Sequence, residues 1–575
     1  MDADVKERQY DVAVVGSGAA GLCAAVIAAL DGASVVLIER TGLIGGTSAL
    51  SGGTVWVPLS APGRAINPED DRERVSAFLD GAVGGHGDRA MREAFLDAGP
   101  GVIARLEAET RVAFRPCPRH PDYEWAPPHA TLNGRAIEPV PFDTRPMGRL
   151  REAIRPPIPE FTILGGMNID RTDIPQLLAR WRSPSAMMHT LRIVARYGRD
   201  RLRHGRHTRL VMGNALVARL LASAADLGVE IRRDTSVAEI ISDAGRVTGL
   251  ALDGPGGAER IAVRGGVILA TGGFGRDPRR RAAHLPAALG PDSPAAPGHT
   301  AELHPMAEAL GAHYGTGGAQ NAFWAPCSIR TRRDGSRAVF PHFVLDRAKP
   351  GTVCVDARGR RFVNETLSYH RFGQAMLEGG SDTAHGWIVA DAAAIRRYGL
   401  GMVRPGGDRL GPYLSDGYLI RADNIAELAA RIGAEPATLE ESVAQINAAA
   451  RSGTDTALGR GTTPYQRHNG DPAVEPNPTL GPIATAPFYA VRLQPADIGT
   501  ALGFRADVSA RLLRADGTVI EGLYAAGNDM QSIMGGTYPG PGITLGPALV
   551  FGAIAGGHAA ARAARTSKET SHAAA

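Results

Sequence analysis

The chain opens on an apolar run at residues 10–15, followed by GSGAAG and an alanine-rich stretch that reaches about residue 30. A second apolar run, ASVVLIE, fills residues 33–39. Short apolar runs on either side of a helical stretch predict buried parallel strands joined by a crossover helix. Residues 60–109 read as helical and irregular by turns, and residues 149–209 as an arginine-rich insertion with helical stretches such as MMHTLRIVARYGRDRLRHGRH. From residue 228 onward, VEIRRDTSVAEIISDAGRVTGLAL alternates as strands and turns, and GGVILATGG at residues 265–273 is another buried strand ending in glycines. Between residues 286 and 485 prolines multiply, strands scatter, and a helix is expected near residues 424–450. GLYAAGN then returns to the opening texture. The pattern predicts an α/β protein with a Rossmann-like dinucleotide-binding domain, residues 1–285 and 486–575. An α+β substrate domain, residues 286–485, is inserted into it. No internal repeat is visible, and the polar tail ARTSKETSHAAA is expected to fray.

Composition narrows the picture. A chain of 575 residues is too long for one ordinary core. Its 72 glycines follow no period, so they mark close backbone approaches. A net charge of +4 gives no footprint for nucleic acid. Cys23, Cys117, Cys327 and Cys354 lie far apart, without zinc, haem or iron–sulfur spacing, and read as buried free thiols in a reducing compartment. The charged start has no signal core and no apolar run approaches bilayer-spanning length, so a cytoplasmic location is expected. The arginine-rich insertion reads either as a solvated helix face or as a peripheral membrane or subunit contact.

GSGAAG places Gly16, Gly18 and Gly21 between a strand and a helix. The first permits the tight turn, the second lets backbone approach a pyrophosphate, and the third lets the helix pack on the sheet. Ala19 and Ala20 begin that helix, whose free N–H groups face the phosphates. Glu39 ends the next strand, where a carboxylate accepts hydrogen bonds from a ribose diol. From Arg40 the chain reads RTGLIGGTSALSGG, a second Gly/Ser loop that a plain NAD domain does not need. No second dinucleotide fingerprint occurs, so no NAD(P)H site is evident.

This loop, the later Ala270-Thr271-Gly272-Gly273 and Tyr524-Ala525-Ala526-Gly527-Asn528 resemble, in the same order, the flavoprotein subunits of the fumarate reductase and succinate dehydrogenase family. The resemblance implies FAD. It puts Arg40, Gly46, Thr47, Ser48, Ser51, Gly52 and Gly53 in the cofactor site, with Val237, Thr271, Gly272, Gly273, Gly527, Asn528, Thr544 and Leu545. Respiratory members carry a histidine in the loop that bonds FAD covalently. That place is Gly46 here, so non-covalent FAD is implied. Dicarboxylate reductases clamp their substrate with arginines. No Arg or Lys lies between Asn528 and Arg562, where the chain instead reads GGTYPGPGITLGPA.

TYPGPGITLGPA, NGRAIEPVPFD, DRAKPG and GRRFVNETLSY are similar, from end to end, to the 3-ketosteroid dehydrogenases, which introduce a ring double bond next to a ketone. The resemblance implies that Tyr538 and the Gly542 N–H hydrogen-bond the ketone. It makes Tyr369 the acceptor of the α-proton, and Tyr123 of HPDYEW the partner of Tyr369. The chemistry agrees, since two fixed donors stabilise the negative charge that builds on the ketone oxygen. A phenol is a poor base at neutral pH unless neighbours favour its phenolate. A helix opening at Thr544 would stabilise anionic reduced flavin with its dipole. Tyr197, on the insertion, is a rival pocket residue. Two departures stand out. Ala301-Glu302-Leu303 replaces an expected Gly-Asp-Gly, and GTALGF lacks an expected second glycine. The expected function is FAD-dependent desaturation of a small-molecule cyclic ketone, with an external electron acceptor that the sequence does not name. A reductase running in the opposite direction and a non-catalytic flavin-binding protein are the alternatives.

Overall fold

The structure, a computed structural model, describes residues 8–344, 346–407 and 409–573. The charged start at residues 1–7 lies outside them. Strand Arg8–Val15 pairs in parallel with Val35–Ile38 on one side and Gly257–Leu269 on the other. The sheet continues in parallel to Glu230–Arg232 at one end and to Val519–Ala525 at the other. Strands Ser236–Asp243 and Arg246–Gly254 add an antiparallel flap to Gly257–Leu269. Val12, Val14, Val36, Leu37 and Ile268 have no exposed surface, as expected of parallel strands covered on both faces.

Helix Ala19–Leu30 crosses from the first strand to the second and packs on helix Leu545–Ala573. The approach is close because glycines line it. A Cβ at Gly552 would lie 2.4 Å from the Ala20 carbonyl oxygen, and one at Gly556 would lie 2.3 Å from that of Ala24. The polar tail, expected to fray, is helical to Ala573. Its last two residues lie outside the described ones.

A second, six-stranded sheet is built on the antiparallel pair Ala322–Thr331 and Phe488–Thr500. It therefore draws a strand from beyond residue 485. The helix expected near residues 424–450 is two helices, Ile425–Ile432 and Pro436–Ser452. Gly433 at φ 75° ends the first, and Pro436 opens the second with its ring-fixed φ. The arginine-rich insertion carries helices Asp173–Ala179 and Pro184–His204. It is tied down by acids on its inner side. Arg209 donates to Asp173 at 2.8 Å, and the Asp200 carboxylate accepts from the Thr208 N–H and hydroxyl at 3.1 and 2.7 Å.

Candidate active site

A cleft opens at the carboxyl ends of the parallel strands, the usual ligand position in such sheets. Gly16, Glu39, Arg40, Val237, Thr271 and Ala301 line it. The Glu39 carboxylate is fixed there by the Ser17 hydroxyl at 2.5 Å and by the Thr41 N–H and hydroxyl at 2.9 and 2.8 Å. Arg40 closes the rim, donating to Thr300 at 2.8 Å and to Glu302 at 3.1 Å. Ala301 adopts φ 52°, a left-handed conformation that glycine takes freely and that strains other residues by about 1–2 kcal/mol. The departure at 301–303 thus keeps a glycine-like backbone without the glycine.

The glycines of the fingerprint divide into two roles. A Cβ at Gly16 would lie 2.1 Å from the Ala270 oxygen, and one at Gly21 would lie 1.9 Å from the Gly16 oxygen, so these two are required by packing. At Gly18 the nearest atom would be the Ser48 hydroxyl at 3.6 Å, and at Gly52 nothing lies within 4 Å. Gly18 also places no side-chain cap on the helix, whose first turn keeps donors for an anion. Next to this space stands His299, buried, with its Nδ1 unpartnered among the described residues and its Nε2 3.3 Å from the Thr47 hydroxyl. Burial pushes the His299 pKa down to about 4, so the ring is neutral. Open space before Gly18 and Gly52, first-turn amides beyond Ala19, whose own N–H donates to the Ser48 hydroxyl at 3.0 Å, and an orphaned buried nitrogen fit a dinucleotide cofactor. At Gly46 a Cβ would lie 3.7 Å from His299 Nε2, and the residue itself offers no atom for a covalent link.

Asp529 joins the two strands that the sequence assigned to the cofactor. Its carboxylate accepts from the Thr271 N–H and hydroxyl, from Gly273 N–H at 2.8 Å and from His304 at 2.9 Å. Burial alone would raise its pKa, but the bonds from His304 and Thr271 win and hold it below the usual carboxylate range. Neither Asp529 nor His304 was singled out from the sequence. The only signal was an acid directly after AAGN.

Beyond the cleft, three tyrosines from three distant segments converge. The Tyr369 and Tyr538 ring centroids are 5.0 Å apart and meet edge to face. Tyr123 lies 5.5 Å from Tyr369 and stacks on Tyr538 at 5.8 Å. Each is placed by its own device. Tyr538 sits in the Gly/Pro stretch before helix Leu545–Ala573. Gly542 has φ 87°, and a Cβ there would lie 2.3 Å from the Thr54 oxygen, so only glycine fits. Tyr369 opens helix Tyr369–Glu378, capped by Ser368, whose hydroxyl accepts from the Arg371 N–H at 3.3 Å. The Tyr123 N–H donates to the Pro539 carbonyl at 2.8 Å, which ties its loop directly to the Tyr538 stretch. Asp122 anchors that loop, accepting from Trp56 at 3.1 Å and from the buried Arg135 at 2.8 Å.

The surroundings are apolar. Phe323 lies 5.2 Å from Tyr538, and Phe343 lies 4.9 Å from Tyr369. His370 is nearby, and burial pushes its pKa down to about 3. Burial likewise raises all three phenols above their ordinary range, Tyr369 and Tyr123 well above it. A fourth ring, Tyr465, lies 4.9 Å from Tyr123, and its buried hydroxyl has no hydrogen-bond partner among the described residues. Nothing in TTPYQRH marks it in the sequence. Tyr197 is placed elsewhere. Its hydroxyl donates to the Leu164 carbonyl at 3.0 Å and its ring meets His207 edge-on, so it serves the insertion's own packing.

The FAD binding domain family matches residues 11–545. The chain is 37% identical over 564 residues to 4-oxocyclohex-2-ene-1-carboxylate 5-dehydrogenase of Sinomonas cyclohexanicum, covering 97% of this chain and 95% of that one. It is 33% identical to 3-oxosteroid 1-dehydrogenase of Mycobacterium tuberculosis, covering 97% and 99%. Among solved structures, 3-ketosteroid delta1-dehydrogenase from Sterolibacterium denitrificans matches with a TM-score of 0.89 and 32% identity, covering 96% of this chain and all of that one. A flavocytochrome c3 fumarate reductase shares the fold, with a TM-score of 0.63 and 21% identity over 97% of this chain and 79% of that one. The cofactor is FAD, and the chain is an FAD-dependent oxidoreductase that belongs to the 3-ketosteroid dehydrogenase family, within the flavoproteins of the fumarate reductase fold.

Proposed function

We propose that the protein introduces a carbon–carbon double bond next to the carbonyl of a cyclic ketone. The observation that carries this reading is the buried meeting of Tyr123, Tyr369 and Tyr538, with no Arg or Lys between Asn528 and Arg562. Such a site suits a neutral carbonyl that becomes an enolate. Tyr538, kept as a neutral phenol by burial, donates to the ketone oxygen, and the Gly542 N–H is the second donor. Both strengthen as charge develops there, which acidifies the α-carbon. Tyr369 takes the α-proton. Its raised pKa opposes this role at neutral pH, so the phenolate, favoured by a hydrogen bond from the Tyr123 hydroxyl, is a minor species whose fraction grows as pH rises. Bound FAD supplies the acceptor for the hydride that leaves the neighbouring carbon.

The relatives act, by their names, on 3-oxosteroids and on oxocyclohexene carboxylates. The feature common to both is a ring ketone, which is the substrate class proposed for this chain. FAD is held without a covalent bond, because Gly46 has no side chain to form one, and an external acceptor reoxidises it. The deciding experiment is anaerobic mixing of the oxidised holoprotein with 3-oxosteroids and with 4-oxocyclohexanecarboxylate. Bleaching of the flavin band is expected with at least one class. A band that survives every ketone, combined with reoxidation of the reduced protein by enones, would assign the opposite direction. Acid precipitation is expected to leave FAD in the supernatant.

A further inference from the structure

Among the described residues, ten large apolar side chains are exposed, and seven of them fall between Leu164 and Leu202. Trp181 is 78% exposed and Leu202 is 90% exposed. Helix Pro184–His204 is inverted relative to an ordinary surface helix. Its inner face buries Ala186, Tyr197 and Asp200. Met188, Leu191, Ala195 and Leu202 recur at helical spacing on its exposed side. Ile174 and Leu178, four apart on the neighbouring helix Asp173–Ala179 that packs against it, are exposed as well. Single exposed apolar residues need no explanation, but a cluster on one insertion marks a contact.

Charge says what the contact is with. Residues 149–209 hold thirteen arginines, no lysine and five carboxylates, a net +8 in a chain whose total is +4, which leaves the other residues at −4. The inward arginines are spent on structure, Arg196 on Asp143 and Arg209 on Asp170 and Asp173. Arg182, Arg192, Arg199 and Arg203 stand exposed beside the apolar side chains. We propose that this face of the insertion docks on an anionic lipid surface. Trp181, Leu178, Leu191 and Leu202 enter the boundary between headgroups and acyl chains, and the exposed arginines meet lipid phosphates. The long arginine stems let the guanidinium groups reach headgroup level while their methylenes cover the apolar side chains. A second copy of the chain is a poorer occupant, since a two-fold contact would set the same exposed arginines against one another. No helix of the described residues is long and apolar enough to cross a membrane, so the chain lies on the surface rather than through it. The proposal is independent of the reaction assigned above.

The test uses the FAD-loaded protein and sedimentation with vesicles of phosphatidylcholine alone or mixed equally with phosphatidylglycerol. Binding to the mixed vesicles is expected to exceed binding to phosphatidylcholine by about tenfold or more at low salt and to weaken as salt is raised. The double variant Leu178→Glu/Trp181→Glu is expected to lose that binding while flavin absorbance and ketone-driven bleaching stay normal. Arg192→Glu/Arg199→Glu should weaken it at low salt, and this pair decides the matter if the first variant does not hold flavin. Equal partition onto both vesicle types, or none onto either, overturns the proposal. So does concentration-dependent self-association that the double variant abolishes in a protein that ignores vesicles, which would make the patch a subunit interface.

Discussion

Two buried polar clusters, one on the second sheet and one beside it, contrast sharply. In the first, His342 links Asp346 at 2.5 Å to Ser328 at 2.7 Å, and Ser328 continues to the Tyr418 hydroxyl at 2.7 Å. The Asp–His–Ser order is that of a hydrolase triad. Yet Ser328 and His342 are buried, and the chain is closed at both ends. Tyr418 accepts from the Met402 N–H at 3.0 Å, and Asp346 accepts from Gly401 and Arg347 N–H groups at 3.1 and 2.9 Å. In the second cluster, Tyr123, Tyr369, Tyr465 and Tyr538 meet mainly one another's rings, and the Tyr465 hydroxyl finds no partner among the described residues. The contrast teaches that a familiar order of side chains does not make a site. Polar capacity left open for a ligand does, and the satisfied chain is a strut.

The largest effect that would break this comparison belongs to Tyr369. Tyr369→Phe is expected to lower kcat by about 10²–10⁴-fold, the range of general acid–base catalysis, and to stop exchange of the substrate's α-hydrogen with solvent. Exchange that persists would put the base elsewhere. Tyr538→Phe comes next, with a loss of about 10²–10³-fold in kcat/KM and FAD still bound. Near-normal turnover would remove Tyr538 from the ketone. On the strut, Ser328→Ala leaves polar partners unsatisfied and should lower unfolding free energy by about 1–3 kcal/mol in a denaturant titration. Turnover per bound flavin should stay unchanged, and a kinetic defect in a stable protein would show that the strut reaches the chemistry.

The smallest effects are in pH. Burial raises the Tyr369 pKa, so kcat is expected to climb with pH through the alkaline range, and a flat profile there would exclude a phenol base. Asp346 moves the other way. Burial would raise its pKa, but His342 beside it outweighs burial and brings it to about 2. Its contribution to stability is therefore full above the unfolded carboxylate pKa of about 3.9 and is lost as pH falls toward 2. Melting temperature followed from pH 5 downward should show this loss, and Asp346→Asn should lessen it.

The parts of the molecule legible in the sequence are those where one residue type answers one local demand. Gly16 and Gly21 were legible because backbone contacts about 2 Å from a Cβ position admit nothing else. Tyr538 and Gly542 come instead from the resemblance carried by TYPGPGITLGPA, and the contact at Gly542 then accounts for the glycine. Glu39 followed from its place at a strand end. What escaped were residues defined by partners far along the chain. Tyr465 gains its meaning from a ring some three hundred and forty residues away, and Asp529 from Thr271 and His304. Residues 486–500 read in sequence as part of the dinucleotide-binding domain, but strand Phe488–Thr500 pairs with Ala322–Thr331; alternation reveals burial but not pairing. The break at Gly433 was visible as a glycine, but apolar periodicity on both sides hid it.

The contact between the first helix and the last has a consequence for how the protein comes into being. The Cys23 thiol donates to the Leu549 carbonyl at 3.2 Å, a bond across 526 positions, and Gly552 and Gly556 lie against the same early helix. On the ribosome, the phosphate-binding loop is therefore among the first segments made and must wait for nearly the whole chain before the surface that braces it arrives. A chain interrupted before residue 545 would carry the full fingerprint, backed by helix Met212–Asp226 but without its C-terminal brace.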